Sequence, residues 1–218
     1  METIRILHII AGILIAISGL LQILMKKGGQ IHRITGTIYF LAWPVIVVTG
    51  GFLGSFLITM LGALGLYMAY TGYRFGRLKS VKINIVDKVI ILLGLLTSLG
   101  IGIGGIYLLV RNNIIFGCIL LFFGVIFFTT CFKDLNSFVF GKINRKMSGH
   151  PMEWFFEHYG RMYISYIAAM TAFTVIQNPF PFFEILNWIL PTIIGTAIII
   201  FTTKYYKKNY NIDVVSRD

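Results

Sequence analysis

The chain has 218 residues, 57% of them hydrophobic and only 12% charged, with a formal net charge of +11 and a mean hydropathy of +0.83. Soluble domains carry about 25% charged residues, so a water-covered globular surface is excluded. The surplus Lys and Arg lie in short links between apolar runs, where the positive-inside rule accounts for them; the expected partner is a lipid bilayer and not nucleic acid.

Seven apolar runs reach or approach the roughly 20 residues that a membrane-crossing helix needs. The first covers 6–24, with Arg5 before it and Lys26-Lys27 after it. That reverses the charge order of a secretory signal, so a retained helix is expected. The second spans about 33–52, contains Pro44 and closes at Gly50-Gly51. The third covers 55–75, the fourth 86–110, and the fifth 114–132 after a tight Arg111-Asn112-Asn113 link. The sixth covers about 154–176, and the seventh about 186–205 with Pro191 in its first turns. The predicted fold is all-α, an integral membrane bundle of about seven transmembrane helices forming one domain over 1–205. A short basic tail, 206–218, follows.

The basic residues set an orientation. Lys26, Lys27 and Arg33 flank the first link, and Arg74, Arg77, Lys79, Lys82 and Lys88 the third. Lys133, Lys142, Arg145 and Lys146 flank the fifth, and the tail carries Lys204, Lys207, Lys208 and Arg217. All sixteen fall on one side, against Arg5 and Arg111 on the other. The positive-inside rule then predicts the N-terminus outside and the C-terminus cytoplasmic, in the cell's inner (plasma) membrane.

Small residues recur at helical spacing at Gly12, Ala16 and Gly19, at Gly100 and Gly104, and at Ser165 and Ala169. They are expected to let helices pack closely. No internal repeat of the inverted-transporter kind is evident. The aromatic link 178–184, followed by Trp188, is expected at the outer interface. Cys118 and Cys131 lie thirteen residues apart on one run, roughly 20 Å along a helix, which excludes a disulfide between them.

Ionisable groups are costly in hydrocarbon, so their clusters are candidate sites. The chain has four His and eight acidic residues. His8 falls on the outer side, too far along the first helix to share a ligand with His32. The inner side collects His32, Arg33, His150, Glu153, Glu157, His158 and Arg161, with Asp87 and Asp134 in neighbouring links. Trp154, His158, Arg161 and Ser165 follow helical spacing and share a face, and Glu157 can pair with Arg161 four residues on. His150, ahead of Pro151, is expected to mark the helix cap.

Two motifs stand in this set. Residues His32 to Tyr39 fit H-R-x-x-G-x-x-Y, and His158 to Tyr166 fit H-x-x-x-M-x-x-S-Y. With His8 in the first helix, the chain resembles a family of bacterial multi-pass membrane proteins of unknown function. The resemblance implies a membrane bundle and no established activity. One departure is Ile164, where the family often carries Arg before the Ser-Tyr pair; Arg161 stands one turn earlier.

Three functions fit these residues. In the first, His32 and His158 ligate a b-type haem, with Arg33, Arg161, Lys26 and Lys27 on its propionates, in an electron-transfer role. A divalent metal would instead be held by His32, His158, His150, Glu153 and Glu157. In the second, the chain is a proton-coupled transporter or permease for a small, anionic solute. Arg33 and Arg161 then hold the anion, His158 and Glu157 relay protons, and Pro44 and Pro191 break helices. In the third, the polar groups only cap helices and anchor a structural scaffold to headgroups. No hydrolase motif is present.

Overall fold

The computed structural model describes residues 1–54, 56–141 and 151–210. Among them the chain forms α1 Glu2–Leu24, α2 Gln30–Leu53, α3 Phe56–Leu78, α4 Ile85–Val110, α5 Ile114–Asp134, α6 Glu153–Gln177 and α7 Glu184–Asn209. No strand occurs among the described residues. The helices extend the apolar runs at both ends by up to four residues, because polar groups fill the first and last turns. The clearest case is α4. Asn84 accepts from the Asp87 amide at 3.0 Å while the Asp87 carboxylate accepts from the Asn84 amide at 2.6 Å, a reciprocal capping box. Pro44 and Pro191 lie inside α2 and α7 without ending them.

Five helices are long and apolar enough to cross a bilayer: α1, α2, α4, α5 with its continuation, and α7. Their outward side chains, such as Leu41, Ile103, Val125 and Phe201, are exposed over wide areas. A water-soluble monomer does not show so broad an apolar exterior. The two helices that fall short, α3 and α6, pack along each other at the centre of the bundle. Most of their described side chains are buried or half-buried. Around this pair sit the α1–α2 hairpin, the α4–α5 hairpin and α7, which lies on α6. Trp43, Tyr39, Met68, Ile15, Ile101 and Phe127 fill the core between them.

Some expectations are corrected here. Trp188 is buried and its ring lies 6.3 Å from that of Phe123, inside the bundle, whereas Phe182 is 92% exposed. The link before α7 therefore presents Phe182, not Trp188, to its surroundings. Gly100 has nothing within 4 Å of an added Cβ and joins no close contact. Gly19 does: a side chain there would run into the Tyr166 ring, so α1 approaches α6 at this point. After Asp134 the chain continues for one π turn, Leu135–Val139, which periodicity did not predict.

Candidate functional site

The antiparallel α3–α6 pair and the α1–α2 hairpin bring the N-terminal turns of α2 and α6 beside the C-terminal ends of α1 and α3. At this end the His32 and His158 rings meet in a T-shaped, edge arrangement, with centroids 6.4 Å apart and planes at 81°. Two imidazoles separated by 126 positions in sequence thus meet.

Each ring is held differently. The Nδ1 of His158 lies 2.7 Å from the Gly72 carbonyl oxygen of α3. A carbonyl only accepts, so the proton sits on Nδ1 and Nε2 of the neutral ring carries the lone pair. The ring fits because α3 has glycine at position 76: a Cβ there would stand 2.7 Å from His158 Cε1. His32 lies in the first turn of α2, where its own carbonyl accepts from Gln22 Nε2 at 2.7 Å. Its buried Nδ1 has no hydrogen-bond partner. Such atoms are rare in folded proteins and mark places where a group can be accommodated.

The rings border a cleft between α1, α2 and α6. Gly19 and Gln22 line it from α1, Lys27 from the link, Tyr39 from α2, and Met162 with four aromatic rings from α6. Counting its open side, the cleft contains about 520 Å³ of unfilled space, but only about 50 Å³ is wide enough for a water molecule. The cleft is therefore narrow. Both motifs converge on it: the buried Tyr39 hydroxyl lies 2.7 Å from Ser165 Oγ, and Tyr166 donates to the Ala16 carbonyl at 3.2 Å.

Arg161 takes no part in this lining. It is 7% exposed and turns the other way, toward α5. Its Nη1 and Nη2 donate to the two Asp134 oxygens at 2.8 and 2.6 Å. Nη1 also donates to Thr71 Oγ1 at 3.1 Å, and Nε to Glu157 Oε2 at 3.0 Å. The guanidinium carbon lies 5.1 Å from the Phe75 ring and 5.9 Å from Phe138 of the π turn. Tyr67 adds a 2.6 Å hydrogen bond to Asp134. All three guanidinium nitrogens are engaged, so none is left for a propionate or a transported anion.

The other expected ligands separate as well. Arg33 is exposed on α2 and does not line the cleft. Glu157 is drawn to Arg161, and Glu153 is buried at the start of α6 outside the lining. His150 lies outside the described residues. Among the described residues no three His, Cys, Asp or Glu side chains converge, so the five-residue metal set is not assembled there. His8 pairs with Thr49 at 2.9 Å, at the far end of α1 and α2. Asp87 serves the α4 cap and an ion pair with Arg74 at 2.6 Å.

No protein-family model matches the chain, and no curated protein or solved structure matches it. The site is read from its chemistry alone. Its working parts are two imidazoles, one ammonium and an aromatic wall. Sequence spacing pointed to the imidazoles but missed Gly76, whose signal was its four-residue spacing from Gly72 on α3.

Proposed function

We propose that the chain is a multi-pass inner-membrane protein that holds a transition-metal centre between His32 and His158, with haem iron as the form its donors suit. The observation that carries this is the 6.4 Å separation of the two rings. Imidazole nitrogens bind metals at about 2.0–2.1 Å, which places the centroids of two opposed ligands roughly 6–6.5 Å apart. The Nδ1–H of His158 on a backbone carbonyl is the outer contact that ligating histidines typically make. With only two protein donors a free ion is short of ligands. A porphyrin provides four more, and the apolar, aromatic lining suits its faces. The narrow cleft favours a flat group, and admitting a macrocycle requires α1 and α6 to part along it. When bound, haem would supply one-electron chemistry. The chain's own contribution is to fix two imidazoles, pin one proton on Nδ1 and limit access of water.

The deciding measurement is an absorption spectrum with metal analysis of the full-length protein, purified in mild detergent from haem-replete cells. A Soret band with about one iron per chain is the expected result. A colourless, metal-free protein overturns the proposal, and a bound metal without a Soret band replaces haem by a free ion.

The distribution of Lys and Arg supports a cytoplasmic position for the basic end of the bundle, where the cleft lies. A C-terminal green fluorescent protein fusion is expected to fluoresce. A cysteine introduced at Phe182 is expected to react with an impermeant maleimide added outside intact spheroplasts. A dark fusion with no outside labelling reverses the orientation.

A further inference from the structure

Among the described residues, four cations that the sequence places near His32 and His158 are candidates for an anionic ligand, and the structure removes three. Arg161 is saturated by Asp134, Thr71 and Glu157. Arg33 and Lys26 are exposed and border no part of the cleft. Lys27 remains, half-buried and in the lining with both imidazoles. Its Nζ donates to the Gln22 carbonyl and, at 3.0 Å, to that of Ile23. These carbonyls belong to the C-terminal turn of α1, the negative end of its dipole, and they hold the ammonium in place. An ammonium has three donors, so one is left over. No Asp or Glu lines the cleft among the described residues. Burial pulls the Lys27 pKa below the usual lysine range. The charged form is thus poorly solvated there, and a neighbouring anion would restore what burial removes.

We infer that Lys27 is an anion anchor at the rim of the cleft, and that the group seated between the imidazoles carries a carboxylate or equivalent acid. The third N–H of Lys27 donates to that acid's oxygen. This rests on the proposed two-imidazole centre, because the anchor reaches only what the cleft admits. The resulting bond is charge-assisted and fixes which edge of a flat ligand faces the basic end.

The test titrates full-length protein from haem-starved cells with iron protoporphyrin IX and, separately, with its dimethyl ester. Wild type is expected to bind the diacid about tenfold tighter than the ester. Lys27→Met is expected to erase the preference and Lys27→Arg to keep it. The Soret position should be the same throughout, because the imidazoles hold the iron. Equal affinity of wild type for acid and ester, or an unchanged preference in Lys27→Met, overturns the anchor and leaves the two-imidazole centre standing. No Soret band with either porphyrin overturns both. The acid–ester comparison in wild type needs no variant, so a poorly folding Lys27→Met does not weaken the test.

Discussion

Asp134→Ala is expected to destabilise the protein by about 3–5 kcal/mol, the cost of stranding a buried guanidinium. Asp134 and Arg161 are 5% and 7% exposed and share a two-pronged hydrogen bond at 2.8 and 2.6 Å. Removing the carboxylate leaves Arg161 with Thr71 and the more exposed Glu157, and deprives the Tyr67 hydroxyl of its acceptor. Thermal unfolding in detergent reads the loss directly. The decisive control is the pair Asp134→Leu with Arg161→Met. An apolar pair of similar bulk removes the desolvation cost along with the attraction. The double variant is therefore expected to be more stable than Asp134→Ala, with a coupling of roughly 2 kcal/mol or more between the sites. A loss below about 1 kcal/mol for Asp134→Ala would mean that Glu157 alone satisfies the guanidinium.

This ion pair also shows where sequence reasoning stops. Glu157 lies four residues from Arg161 on one helix, and that contact follows from spacing alone. Asp134 lies on α5, and nothing in a hydrophobic period tells which carboxylate a neighbouring helix will offer. The seven helices were legible because each needs a long apolar run, and the basic links alternate with them. The meeting of His32 and His158 was legible because both lie in the N-terminal turns of helices that start from the same, basic end of the bundle. The separation of Arg161 from that site was not. Three residues of helix turn a side chain through about 300°, which leaves Arg161 about 60° round the helix from His158, and contact with different neighbours then sends the two to different partners. The π turn and the burial of Trp188 likewise depend on tertiary packing.

Helix α6 accordingly acts as a hub whose successive turns reach three helices. His158 reaches the Gly72 carbonyl of α3, Arg161 the carboxylate of α5, and Ser165 the Tyr39 hydroxyl of α2. Thr71 and Gly72, adjacent on α3, receive the guanidinium and the imidazole respectively. The contacts to Thr71 and Gly72 thereby set the depth of α6 against α3 and the position of the His158 ring, while the ion pair ties α6 to α5. In this arrangement Arg161 does not line the cleft and would act on the proposed centre only by positioning α6.

Gly76→Ala is expected to weaken iron protoporphyrin IX binding by roughly 10- to 100-fold, the range seen when an outer hydrogen bond to a metal-binding histidine is lost. A Cβ at position 76 would approach His158 Cε1 to 2.7 Å and Nδ1 more closely still, so the ring must turn away from the Gly72 carbonyl. Turning releases the proton from its fixed place on Nδ1 and misdirects the Nε2 lone pair. His158→Ala and His32→Ala remove a donor outright and are expected to abolish the two-imidazole spectrum. The matched control is Gly100→Ala, where an added Cβ meets nothing within 4 Å. That change should leave the spectrum intact and, if anything, raise helix stability by up to about 1 kcal/mol. Titration separates the cases: a right-shifted binding curve for Gly76→Ala with wild-type thermal stability assigns the effect to the ring. Wild-type affinity in Gly76→Ala would show that the α3 groove does not orient His158. The neutral tautomer fixed by Gly72 would then have no part in binding.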